Sequence, residues 1–143
     1  MKLRVVIDTN IWIRILLKGR ITLPILEAFN QNKFQLIMSQ SLLNELHQVR
    51  NRPRLSKLID PNQATRLAKQ LEYRAIWVNL TTIPPHCRDP KDLPVLATAI
   101  DGQAQIIVSG DDDLRADEFL REAMELYSIK LLGVNSFLKC LEN

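Results

Sequence analysis

The sequence predicts an α/β protein, a three-layer α/β/α sandwich around a central parallel sheet of about five strands. Three observations lead there. Short β-branched runs alternate with longer stretches of helical period, from "LRVVID" at the start to "NSFLKCLE" at the end. The first of these runs is short, β-branched and ends in an acid, and reads as a buried strand. Acids stand where apolar runs end, at Asp8 after "RVVI" and at Asp111 after "QIIVSG".

Taken in order, "LRVVID" reads as the first buried strand. "NIWIRILLK" and "LPILEAFNQNK" follow as helices, with a break around Gly19. "FQLIMS" is the second strand, and "QSLLNELHQVR" a helix that Pro53 terminates. "DPNQATRLAKQLEYR" is a helix with Asp60 as N-cap and Pro61 at its first position. "AIWVNL" is the third strand, followed by the proline-rich loop "TTIPPHCRDPK". "DLPVLATAIDG" is a helix closed by Gly102, and "AQIIVS" the fourth strand. "DDLRADEFLREAMELYS", "IKLLGV" and "NSFLKCLE" complete the pattern as helix, strand and helix. Trp12, Trp77 and Phe119 are expected in the core, and His47 on the outward side of its helix. With no repeat, linker or low-complexity tract, residues 1–143 are expected to form one domain.

Composition narrows the class. Hydrophobic residues make up 46% and charged residues 24%, enough apolar material for a real core. No apolar run approaches the roughly 18–20 residues that span a bilayer, so no membrane is expected. "MKLRVVID" turns acidic too early for a secretory signal, which makes the cytoplasm the expected location. Cys87 and Cys140 are isolated, with neither disulfide nor zinc spacing. A net charge of +3 permits an anionic partner without identifying one. Arg50, Arg52, Arg54 and Lys57 crowd into "RNRPRLSK", and Arg14, Lys18 and Arg20 follow the first strand. Taken singly, each is ordinary solvated surface.

The acids carry more information. Asp8, Glu45, Asp92 and Asp111, with Asp113, lie at the ends or inner borders of four separate apolar segments. Burying an unpaired carboxylate costs several kcal/mol or forces it to protonate. Packed side by side, the segments would gather acids that repel one another unless a cation sits among them. Each Asp has a duller reading as a helix cap: Asp8 for "IWIRIL", Asp92 for its own helix, Asp111 to Asp113 for the next. Glu45 does not. A capping box would place Glu three residues after Ser39 or Ser41, where Leu42 and Asn44 stand. On a helical wheel it flanks the inner stripe of Leu42, Leu46 and Val49.

The motif order "VIDTNIWI", "MSQSLLNEL", "RDPKDLPVLATAI" and "IIVSGDDDL" resembles the PIN-domain nucleases, most closely the VapC-like toxins of bacterial toxin–antitoxin modules. The likeness runs from Leu3 to about Leu132. It matches the family's first acid to Asp8, the second to Glu45 and the third to Asp92, seven residues before Ala99. The fourth is matched to Asp111, with Asp113 as an accessory fifth. Asn10 and Ser109 match small polar residues that order the acids and waters, and Asp89 competes with Asp92. The resemblance implies hydrolysis of RNA phosphodiesters with Mg2+ or Mn2+, with Asp8, Glu45, Asp92 and Asp111 catalytic and Asp8, Asp92, Asp111 and Asp113 as metal ligands. Arg14, Arg50, Arg52 and Arg54 would then track the RNA backbone. An antitoxin and a homodimer are the partners it implies. The alternative is an inert PIN-fold module that binds nucleic acid or a partner protein. A phospho-accepting receiver domain fits poorly, because "AIWVNL" offers Asn79 where an acceptor Asp is needed.

Overall fold

The structure, a computed structural model, describes residues 2–83 and 92–142. Strands β1 (Arg4–Ile7), β2 (Gln35–Met38), β3 (Ile76–Trp77), β4 (Ile106–Val108) and β5 (Lys130–Leu132) form one sheet in the order β3-β2-β1-β4-β5. Every pairing is parallel, with Val5 opposite Leu36 on one side and Ile106 on the other. Helices flank the sheet, giving the expected three layers. They are α1 (Thr9–Leu16), α2 (Leu23–Asn30), α3 (Gln40–Arg50), α4 (Pro53–Ser56), α5 (Pro61–Arg74), α6 (Leu93–Asp101), α7 (Asp112–Ala116), α8 (Glu118–Glu125) and α9 (Val134–Glu142).

The uniformly apolar strands are buried as their composition demands. Val5, Val6, Ile7, Leu36, Ile37, Met38, Ile106, Ile107 and Val108 are all buried. Each contributes roughly 1.5–3 kcal/mol by leaving water. An aromatic row closes one side of the core. Trp12 meets Phe29 edge-on, Phe29 meets Phe34, and Phe34 meets Phe137 edge-on at 5.2 Å, tying α1, α2 and α9 to the segment entering β2.

Several local expectations are corrected. The stretch "AIWVNL" pairs only over Ile76–Trp77, because β3 is an edge strand with β2 as its single neighbour. The stretch after Asp111 is two helices, since the Asp117 side chain accepts from the Leu120 N–H and starts α8 afresh. Pro53 does not merely end α3: it opens the short α4. Trp12 is in the core, but Trp77 is 36% exposed and Phe119 71% exposed, so neither fills it. His47 is half-buried. The break after α1 turns on Lys18, which takes the left-handed conformation (φ 63°) that Gly19 does not adopt.

The order reverses between β1 and β4, which lie side by side although a hundred residues separate them. In open parallel sheets the crevice beyond the strand ends at such a point is where ligands bind. One long-range contact orients α6 relative to that edge. Arg4, at the start of β1, donates from Nη2 to the Gly102 carbonyl at 2.6 Å, which fixes the end of α6 at the opposite edge. Nine helical residues rise about 13 Å, and β1 from Arg4 to Asp8 climbs about as far. The first turn of α6 therefore returns to the level of Asp8. Gly102 serves close approach here, since a Cβ on it would lie 2.9 Å from the Thr98 carbonyl oxygen and run into Ile37.

Candidate active site

Asp8 continues β1 by one residue, donating its N–H to the Val108 carbonyl at 2.9 Å, and its own carbonyl accepts from Ile11 to start α1. It is only 5% exposed. It occupies the N-cap position of α1, yet its side chain makes no capping hydrogen bond. Instead Oδ2 accepts from the Ser109 hydroxyl at 3.2 Å, across the β1–β4 boundary. Burial pushes its carboxyl above the ordinary carboxylate range, and the nearby charge of Asp111 pushes it further. The Ser109 hydroxyl and the backbone N–H groups of Asn10 and Thr9 oppose that shift without cancelling it. The Asn10 residue is exposed.

Ser109 is fully buried at the end of β4, where its N–H bonds to the Leu132 carbonyl. Its Oγ donates to Asp8 and accepts from the Asp111 N–H at 3.0 Å, so one hydroxyl sets the spacing of two acids. Asp111 is half-buried, and its Oδ1 also accepts from the Leu114 N–H at 3.3 Å, so at this acid the capping reading holds as well.

Glu45 reaches the same edge from α3. Leu42, Leu46 and Val49 turn inward and hold the helix against the core, leaving Glu45 half-buried beside them. Its Oε2 accepts from the Thr9 hydroxyl at 3.2 Å, and Thr9, 2% exposed, is the neighbour of Asp8. The start of α3 is fixed by Ser39, whose Oγ accepts from the Leu42 N–H and lies 2.8 Å from Thr98 Oγ1 on α6. Asp92 is the half-buried residue before α6 and makes no capping hydrogen bond.

The structure thus links Asp111, Ser109, Asp8, Thr9 and Glu45 through hydrogen bonds and one chain step, while Asp92 stands two residues before Pro94, which lines a groove with Glu45. It does not close them into a tight cage. Among the described residues, no three of His, Cys, Asp and Glu stand close enough to hold a metal ion. The side chain of Asp113, and all of Asp89, lie outside the described residues. A donor set made only of oxygens, with one carboxylate buried against its own charge, still fits a hard divalent cation. Magnesium takes one or two direct carboxylates and keeps several waters.

The cations divide. Arg14 folds back from α1 so that its guanidinium lies on Gly110, between Ser109 and Asp111; a Cβ there would sit 3.0 Å from Cζ. Arg50 is half-buried with its Nε unpartnered among the described residues, while Arg52 and Arg54 are exposed. Arg52 and Glu45 line one groove of about 370 Å³. A roomier cavity of about 510 Å³ between α1, α2 and α5 is lined by Ile15, Leu16, Leu23, Leu26 and Leu67, with no acid in its lining, so it lies apart from the chemistry.

Thr9 and Gly110 were not separable from their neighbours by residue type. Thr9 reads as a helix opener, and only the approach of α3 gives its hydroxyl a partner. A Gly before an Asp reads as a turn, whereas the neighbour that occupies the space of a side chain there is the guanidinium of an arginine almost a hundred residues earlier.

Two comparisons bear on identity. The family model described as PIN domain matches residues 4–113, which takes in Asp8, Glu45, Asp92 and Asp111. A search of curated proteins finds no match. No helix among the described residues is long and apolar enough to cross a membrane. With a family match over more than half of its length, the chain belongs to the PIN-domain family, whose members are generally nucleases that act on nucleic acid with divalent metal ions.

Proposed function

We propose that this protein is a Mg2+- or Mn2+-dependent endoribonuclease working in the cytoplasm as the toxin of a toxin–antitoxin pair. The observation that carries the nuclease reading is the Asp8–Ser109–Asp111 arrangement, in which a buried carboxylate is held next to a second one at the sheet's switch point. Two carboxylates held this close, one of them buried, suit a divalent ion. Asp8 and Asp111 would hold it, Asp92 would add a further ligand, and Asp113 is the accessory one. The ion, when bound, supplies a Lewis acid that lowers the pKa of water for attack on a phosphodiester.

The chain's own residues do the rest. Ser109 keeps Asp8 and Asp111 at a fixed separation. Thr9 donates to Glu45 and so positions its carboxylate beside Asp8, where it would orient a water and accept its proton. Arg14, laid on Gly110, offers a fixed positive charge to the phosphate. A hydrophobic core that draws on residues from Val5 to Phe137 supports one working unit over residues 1–143. The toxin role, an antitoxin partner and a homodimer rest on the motif order shared with VapC-like toxins.

One observation favours the second reading, an inert module: no three of the described acids, cysteines and histidines are within metal-holding range. Cleavage of single-stranded RNA with Mn2+ titrated from zero separates the two. The nuclease reading expects cleavage that saturates with metal and disappears in Asp8→Asn. Metal-independent cleavage, or none, overturns it.

A further inference from the structure

A groove of about 370 Å³ runs along the outer side of α3 against the first turn of α6. It begins at Glu45 and Pro94 and ends at Arg52, with Asn44 and Gln48 between them. Both walls are fixed, because the Ser39 and Thr98 hydroxyls bridge α3 and α6 at 2.8 Å. The floor is apolar: Val49 is 7% exposed, and the Pro94 ring stands half-buried at the side. Asn44, Gln48 and Arg52 are exposed along it. The side-chain carbonyl of Asn44 accepts from Gln40 Nε2 at 2.9 Å, which orients the amide. At its near end the groove opens onto the acids, since Glu45 is bonded to Thr9 beside Asp8.

We infer that this groove is a base-reading subsite for single-stranded RNA, holding the nucleotide next to the bond that is cut. The inference rests on the nuclease reading. Each part of a nucleotide finds its counterpart. The apolar floor and proline ring accept the face of a base, the amides of Asn44 and Gln48 pair with its edge, and the Arg52 guanidinium takes the flanking phosphate. From Glu45 to the end of α3 at Arg50 the helix rises about 8 Å, and Arg52 lies two residues beyond, within the reach of a single nucleotide and its phosphate. A protein helix would need a wider apolar stripe than Val49 and Pro94 supply. The consequence is sequence selectivity: the enzyme prefers certain bases at one position beside the cleavage point.

The test maps cut sites in a randomised single-stranded RNA pool with Mn2+ for the parent, Asn44→Ala with Gln48→Ala, Arg52→Gln, and Arg121→Gln, exposed on α8 away from the groove, as control. Binding of a labelled oligoribonucleotide is followed against salt in chelator. All the substituted positions are exposed, and Asn→Ala favours a helix, so the fold is retained. The double alanine variant is expected to lose base preference at one position while kcat persists. Arg52→Gln is expected to raise KM with kcat unchanged and to flatten the salt slope by about 0.7, one phosphate contact on a single strand. Arg121→Gln is expected to match the parent. Unchanged preference, KM and slope, or an equal effect of Arg121→Gln, overturns the subsite. RNA affinity indifferent to every substitution would give the groove to a protein partner, against the inference. A parent that cuts no RNA overturns the nuclease reading instead, and the salt slopes still decide the groove.

Discussion

Ser109 donates its hydroxyl to Asp8 at 3.2 Å from the end of the neighbouring strand, with neither residue more than 5% exposed. The bond exists because β1 and β4 are paired in register, Ile7 against Val108, so the residues just beyond them meet. A buried carboxylate with a hydroxyl for company and another acid nearby is poised for a cation, and the consequences can be measured.

Asp8 should cost stability when no metal is present. Its folded carboxyl is held above the ordinary range, so the native state binds more protons than the unfolded state. Stability in chelator should therefore fall as pH rises from the ordinary carboxylate value of about 3.9 through the raised folded one. Asp8→Asn should lack that slope and melt higher than the parent at neutral pH, while losing all cleavage. Melting curves across pH in chelator check it; an Asn variant that melts lower at neutral pH would contradict it.

Ser109→Ala should remove the donor to Asp8 and the acceptor for the Asp111 N–H together. The site is fully buried, and a stranded polar group costs about 1–3 kcal/mol. Chemical denaturation should show a loss in that range, and kcat should fall more than KM changes, since the acids lose their spacing. An alanine variant of parental stability and kcat would remove Ser109 from the site.

Much of this was legible in the residues, and the reasons are local. The bounds of α3 and α5 follow from signals within one turn, with Ser39 and Asp60 as caps and Pro61 at the first position. Asp8 and Asp111 were legible as strand-end acids because strands alternating with helices imply a parallel sheet. What escaped depends on the third dimension. The short β3 reflects its place at the sheet edge, which no residue in "AIWVNL" announces. Phe119 looks like core from its type, yet α8 buries Leu120 and Met124 instead. The break before α8 was readable: Asp117 is an N-cap in type and position, overridden by the helical run on either side.

Arg14 and Gly110 should behave as a unit. Gly110→Ala places a methyl where the flexible Arg14 guanidinium lies, so the arginine must move while the fold persists. RNA affinity in chelator should weaken in Gly110→Ala and in Arg14→Gln, and the double variant should be no weaker than Arg14→Gln alone. Additive losses would show that the two act separately.

Asp101 closes α6 and binds the segment after β3. Its carboxylate accepts from the Thr81 N–H at 2.7 Å, the Thr82 N–H at 3.1 Å and both threonine hydroxyls. The Thr82 hydroxyl first, and then the backbone donors, hold its carboxyl below the ordinary range against a small effect of burial. A lowered folded value gives stability that is complete above about pH 3.9 and is lost as pH falls through the folded value. Asp101→Asn should melt below the parent at neutral pH, with the gap narrowing in acid. A gap independent of pH would assign the effect to packing and not to charge.

The claim that distant acids serve one divalent-ion pocket is tested most directly by calorimetric titration of Mn2+ into the parent, Asp8→Asn, Glu45→Gln, Asp92→Asn and Asp111→Asn. The expected result is a saturable binding event in the parent that Asp8→Asn and Asp111→Asn abolish and the other two weaken. No saturable binding in the parent, or binding that all four variants leave untouched, would contradict it.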